Sequence, residues 1–214
     1  EVKRVLRKDG TVWLNLGDSY ASGKSRYSSN PQTIAKGKSH DEPMEGKKPD
    51  LYYHPVLKDK DLIGIPWRVA LALQSDGWYI RSDIIWNKPN PMPESVRDRP
   101  TKSHEYIFLL TKSAKYYYDH EAIKEKGEYP AGTKAAKGSA KRYSTDLVNS
   151  RPPEYKVYDG TRNKRSVWKI TTKPYKEAHF ATFPEELPET CIKAGTKKGD
   201  VVLDIFAGSG TTLR

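Results

Sequence analysis

Apolar residues recur along this chain in two periods, and the switches between them mark out its elements. Val2, Val5 and Leu6 share one helical face and run into a Lys8-Asp9-Gly10 stop, after which "TVWLNL" alternates as a strand over Thr11–Leu16. In "DLIGIPWRVALALQSDGW", Val69, Leu71, Ala72 and Leu73 predict a helix that ends at Asp76-Gly77. Two apolar strands follow, one up to Trp86 and one in "HEYIFLLTKS". They are expected to pair antiparallel across a connection, residues 87–103, rich in proline and charge. Near the end, Thr182 and Glu185 have capping-box spacing for a helix that Gly195 would stop. Pro188 falls inside that helix, where an interior proline costs about 3 kcal/mol, so a kink or a late start is expected. Last comes "KKGDVVLDIFAGSGTT", read as a turn, a buried strand and a glycine loop. Residues 21–60 are Ser-, Lys-, Pro- and Gly-rich without periodicity and predict a long polar loop, and residues 112–168 give no assignable elements.

Composition sharpens this picture in three places. At 214 residues the chain suits one sizeable core, read here as a single domain, 1–214, carrying insertions. The net charge of +11 is concentrated, since residues 112–176 hold sixteen Lys or Arg against seven Asp or Glu. Such a segment implies a polyanion, most often nucleic acid, while the plainer reading is a solvated basic loop. Cys191 is the only cysteine, which rules out an internal disulfide framework and fits a reducing cytoplasm. No apolar run approaches membrane-spanning length.

The glycine loop carries the first chemistry. Glycines at 208 and 210 allow a tight turn and a close ligand approach after the apolar run that ends at Asp204. The loop lacks both the third glycine of a dinucleotide fingerprint and the Gly-Lys-Ser/Thr of a phosphate loop, so neither NAD nor ATP is supported. A plain strand-to-helix turn remains the alternative. Trp86 is likewise open between a core residue at a strand end and an aromatic wall of a pocket.

Taken together, "GTVWLNLGDSY", "DIIWNKPNPMP", "HFATFPEEL" and, about twenty-five residues after its start, "DIFAGSGTT" resemble the DNA amino-methyltransferases that modify adenine at N6 or cytosine at N4. The likeness is to the branch whose motif order is circularly permuted, with the cofactor loop late in the chain. It implies an α/β, Rossmann-like S-adenosylmethionine-dependent methyltransferase fold, incomplete at both ends, with a basic target-recognition insert at 112–168 and a cofactor-binding segment at 177–214. It implies S-adenosylmethionine contacts from His179, Phe180, Ala181, Thr182 and Phe183, and from Asp204, Phe206, Ala207, Gly208, Ser209, Gly210 and Thr211. Trp86, Lys88, Pro89 and Asp18 would border the target-base pocket, because a base must leave the duplex stack and be held against apolar surfaces to be methylated. Lys141, Arg142, Arg162, Lys164 and Arg165, set among polar turns in the most basic stretch, are the expected phosphate contacts to double-stranded DNA. A restriction endonuclease of the same system is a further expected partner.

Transfer to an exocyclic amine needs an acceptor that orients the amine. The family uses Asp, Asn or Ser followed by Pro-Pro-Tyr or Pro-Pro-Trp. No such tetrapeptide occurs here, and Pro152-Pro153 lies between Arg151 and Glu154. The catalytic motif is therefore expected upstream of Glu1, and the 214 residues by themselves are expected to be inactive. The competing expectation is a nucleic-acid-binding module that keeps the fold without the chemistry.

Overall fold

A computed structural model of the chain describes residues 1–21, 56–58, 60–136, 155–173 and 183–213. Its elements in order are α1 (Val2–Val5), β1 (Thr11–Leu16), α2 (Ile65–Ser75), β2 (Tyr79–Asn87), β3 (His104–Thr111), β4 (Glu125–Lys126), β5 (Lys134–Ala136), β6 (Tyr155–Val157), β7 (Thr161–Arg162), β8 (Val167–Lys169) and α3 (Glu186–Gly195). A single 3₁₀ turn, Thr211–Leu213, follows.

The main sheet has four strands in the order β1-β3-β2-β8. β1 and β2 both run antiparallel to the central β3, and β8 runs parallel to β2. β1, β2 and β8 consequently point the same way, and their carboxyl ends share one edge of the molecule with the amino end of β3. The alternation along each strand decides what covers the sheet. Ile84, Trp86 and Ile107 face one way and pack with Trp168, Ile170, Leu187 and Cys191, which puts α3 on that face. Phe108 and Leu110 face the other way and pack with Ala70 of α2, Trp78 and, less deeply, Val12, Leu14 and Leu6. The result is a small three-layer α/β arrangement.

The predicted strand pair and the α2 stop are found where expected. After α2, the N–H of Trp78 donates to Leu73 O at 3.0 Å and that of Gly77 to Gln74 O at 3.0 Å, with Gly77 at φ 83. This is a Schellman cap, and the left-handed position is why the residue is glycine. Three expectations are corrected. Gly195 ends α3 without a left-handed turn, since the cap residue is Thr196 at φ −138. A Cβ at Gly195 would lie 2.4 Å from Thr11 Oγ1, so close packing on β1 explains the glycine. The run at 201–205 is not a buried strand: Val201, Leu203 and Ile205 are exposed and no described strand pairs with them. An apolar sequence expresses a preference for a sheet, and a ladder needs a neighbour to supply the hydrogen bonds. Pro188 does correspond to a late start. α3 begins at Glu186, which leaves the proline in the first turn, where its missing N–H has no helical partner to lose. Glu185 is itself the N-cap, with no side-chain cap bond, so it does not fill the inner position a capping box requires; Thr182 lies outside the described residues.

In the basic segment, β4 pairs with β7 and β5 with β6 as two short antiparallel ribbons. Among the described residues no helix is long and apolar enough to cross a membrane.

Candidate functional site

The carboxyl ends of parallel strands are where open α/β sheets bind ligands, and here that edge carries a dense set of charged groups. Just past β1, Asp18 turns its Oδ1 onto three backbone N–H groups, those of Ser19 at 2.9 Å and of Gly64 and Ile65 at 3.0 Å each. It thereby caps α2, whose own N-cap residue Gly64 has no side chain to do so. At the end of β2, the Lys88 ammonium is bonded to the Glu105 carboxylate of β3 and sits 4.3 Å from the Trp86 ring centroid. Trp86 is 2% exposed and donates its indole N–H to Ile170 O at 2.9 Å. Of the two uses open to Trp86, the core residue is the one this geometry displays. Pro89 follows, exposed, and Asn90 clamps the segment after β8 through Thr172 at 3.0 Å.

The connection between β2 and β3 adds further charged groups. Glu94 accepts from Arg99 Nη1 at 2.8 Å and from the backbone N–H of Lys102 at 3.1 Å. These bonds hold its carboxyl below the usual carboxylate range, the Arg99 guanidinium contributing most. Arg99 in turn lies 3.9 Å over the Tyr20 ring. Sequence reasoning reached Asp18 and Lys88 and missed Tyr20, Glu94, Arg99, Lys102 and Glu105. For Arg99, Lys102 and Glu105 the signal is the string "RPTKSHE", polar and charged where it leads into an apolar strand.

The glycine turn forms a second group. Asp204 accepts from its neighbour's neighbour, Phe206 N, at 2.9 Å and from Thr212 Oγ1 at 2.6 Å, so one carboxylate staples both ends of the turn. Gly208 and Gly210 have φ of 50 and 73, Ser209 and Thr211 share a hydroxyl hydrogen bond at 3.1 Å, and Ala207 O accepts from Gly210 N at 2.7 Å. Phe206 is 80% exposed. Of the preceding segment, Phe183 packs on the α3 core cluster, while His179, Phe180, Ala181 and Thr182 lie outside the described residues.

The basic segment is less free than its charge suggests. Glu125 accepts from Arg162 Nε and Arg165 Nε at 2.8 Å each, and Arg162 Nη1 also meets Glu128 at 2.7 Å. Arg162 is thus committed to two carboxylates, whereas the side chain of Arg165 is 65% exposed. Lys164 lies 5.3 Å from the Trp168 ring centroid. Lys141 and Arg142 lie outside the described residues.

The family model for N6/N4 DNA methylases matches residues 1–214. Among curated relatives, the chain is similar to the type II methyltransferase M.Cfr9I of Citrobacter freundii, 51% identical over 211 residues, and to M.SmaI of Serratia marcescens, 47% identical over 216 residues. Each match takes in 99% of this chain and 58% or 61% of the relative, so the chain spans about three-fifths of their length. Among solved structures, the PvuII DNA methyltransferase, titled cytosine-N4-specific, aligns over 99% of this chain and 56% of its own with a TM-score of 0.57 at 16% identity, a likeness of fold.

Proposed function

We propose, from the premise that this chain belongs to the N6/N4 DNA methylase family, that its protein transfers a methyl group from S-adenosylmethionine to the exocyclic amine of adenine or cytosine in double-stranded DNA. The observation that carries the reading is that Asp18 past β1, Lys88 past β2 beside Trp86, and Glu105 at the amino end of β3 stand on the sheet edge where β1 and β2 end, where a sheet of this type takes its substrate. A companion restriction endonuclease belongs to the same proposal.

The glycine turn suits the cofactor in its donor set. S-adenosylmethionine is a cation-bearing amino acid joined to a nucleoside, and when bound it supplies an electrophilic methyl group. Asp204 offers a carboxylate fixed by Phe206 and Thr212, Phe206 offers an exposed aromatic face, and Ala207, Gly208, Ser209, Gly210 and Thr211 offer a backbone unobstructed by large side chains. The 179–183 segment, of which Phe183 is described, would close over the methionine end.

The remaining steps belong to this chain's own residues. Lys88, Pro89 and Asp18 border the base site, and the Trp86 indole fixes the floor on which Lys88 rests. Arg165 and Lys164, with Lys141 and Arg142, would meet phosphates, while Arg162 organises Glu125 and Glu128 behind them. The acceptor that orients the target amine is assigned to the part of the relatives' length that these 214 residues do not span. The test is methyl transfer to duplex DNA by the protein at its full natural length. A protein that binds DNA tightly and transfers no methyl group would be the binding module instead.

A further inference from the structure

Among the described residues, the side chain that the fold leaves least satisfied stands at the sheet edge where β1 and β2 end. The Lys102 ammonium is buried, and among the described residues it is the buried side-chain polar atom left without a hydrogen-bond partner. A surface lysine would swing its head to water, since burying an unpaired ammonium is costly. Here the backbone is pinned on both sides: Lys102 N donates to Glu94 at 3.1 Å, and the adjoining Ser103 O accepts from Lys88 N at 2.7 Å. Three carboxylates act on the ammonium at longer range, Asp18 first, then Glu105 and Glu94. Each is already engaged: Asp18 on the α2 amino end, Glu105 on Lys88 and Glu94 on Arg99. Among the described residues, Lys102 is the cation of this group that has no direct counter-ion.

We propose that Lys102 positions the target base, its ammonium donating to a neutral acceptor on the extruded heterocycle, a ring nitrogen or a carbonyl oxygen. The charge count selects that chemistry. Lys88, Arg99 and Lys102 balance Asp18, Glu94 and Glu105, so a neutral acceptor satisfies Lys102 without disturbing the balance, whereas a phosphate would add an anion beside three carboxylates. Position points the same way, because the loop that carries Lys102 enters β3 at the edge where β1 and β2 end. The long flexible stem lets the head move onto a ligand.

The inference rests on the DNA methyltransferase reading, and its test separates the two. The full natural-length protein, Lys102→Met and Lys102→Gln are compared for methyl transfer on the cognate duplex. They are compared again on duplexes whose target base lacks the ring nitrogen or the carbonyl oxygen. Loss of a hydrogen bond to a charged group predicts a fall in kcat/KM of roughly 10- to 100-fold in both variants. S-adenosylmethionine affinity should be unchanged, and Tm unchanged or raised because an unpaired buried charge has gone. The unaltered protein should lose a similar factor on one of the modified duplexes, and the variants should lose nothing more there. Activity of both variants within about twofold of the unaltered protein, or full additivity of variant and base modification, overturns the proposal. So does a flattened salt dependence with base discrimination intact, which would make Lys102 a phosphate contact. If the unaltered protein transfers no methyl group, the methyltransferase reading itself has failed.

Discussion

The Asp18 carboxylate and the backbone N–H of Ile65 are joined at 3.0 Å across 47 positions of sequence. That bond ties the end of β1 to the start of α2, beyond the polar stretch between them. Asp18→Ala should lower stability by about 1 to 2 kcal/mol, as loss of an N-cap acceptor does. Asp18→Asn, which keeps an acceptor oxygen, should lose less. Urea unfolding of the three proteins checks the order, and an Asn variant as unstable as the Ala variant would mean that the charge matters more than the hydrogen bonds.

Gly195→Ala is expected to destabilise by about 1 to 3 kcal/mol through overpacking, because the added Cβ would fall 2.4 Å from Thr11 Oγ1 and 2.9 Å from Trp13 Nε1. Thr11→Ser would leave the contacting hydroxyl in place and should not rescue it, whereas Thr11→Ala should recover part of the loss. Thermal melts of the single and double variants give the coupling.

Cys191 lies in the α3 core, and burial pushes its thiol up to about 12 from an ordinary value of 9.0. The folded protein then keeps its proton where the unfolded chain releases it. Stability is therefore fully present below the unfolded value and falls as pH rises from about 9 towards 12. Native protein should resist thiol alkylation at neutral pH and become reactive only in denaturant. Rapid labelling of the native form would show the core to be open.

The elements legible in the sequence were those whose causes are local. The alternation in Thr11–Leu16 and the Asp76-Gly77 stop each determine a backbone within a few residues, and both appear as expected. The antiparallel pairing of β2 with β3 also followed, because two apolar runs joined by one connection have few other ways to bury themselves. What escaped depends on distant partners. The capping role of Asp18 shows only when Ile65 comes to meet it, and Lys102 is an ordinary loop lysine until Glu94 and Ser103 fix its backbone. Arg162 reads as a free cation until Glu125 and Glu128 surround it. The apolar run before Asp204 misled in the opposite sense, since its composition speaks of a sheet and no described strand lies beside it.

DNA affinity should fall steeply with salt, the log-log slope being roughly −0.9 for each phosphate neutralised. Replacing Lys164 and Arg165 by alanine should flatten the slope. Arg162→Ala should act chiefly on stability by freeing Glu125 and Glu128 of their shared partner. Fluorescence anisotropy across a salt series, beside thermal melts, separates the two effects. An unchanged slope in the double variant would move the phosphate contacts to another surface.

The proposed chemistry ends on an exocyclic amine. Duplex DNA is treated with the full natural-length protein and S-adenosylmethionine labelled in its methyl group, then digested and analysed by nucleoside. Label is expected in N6-methyladenine or N4-methylcytosine, and is expected to be lost when Asp204 is replaced by alanine. Label on the ring carbon of cytosine, or none at all from a protein that binds both DNA and cofactor, would contradict it.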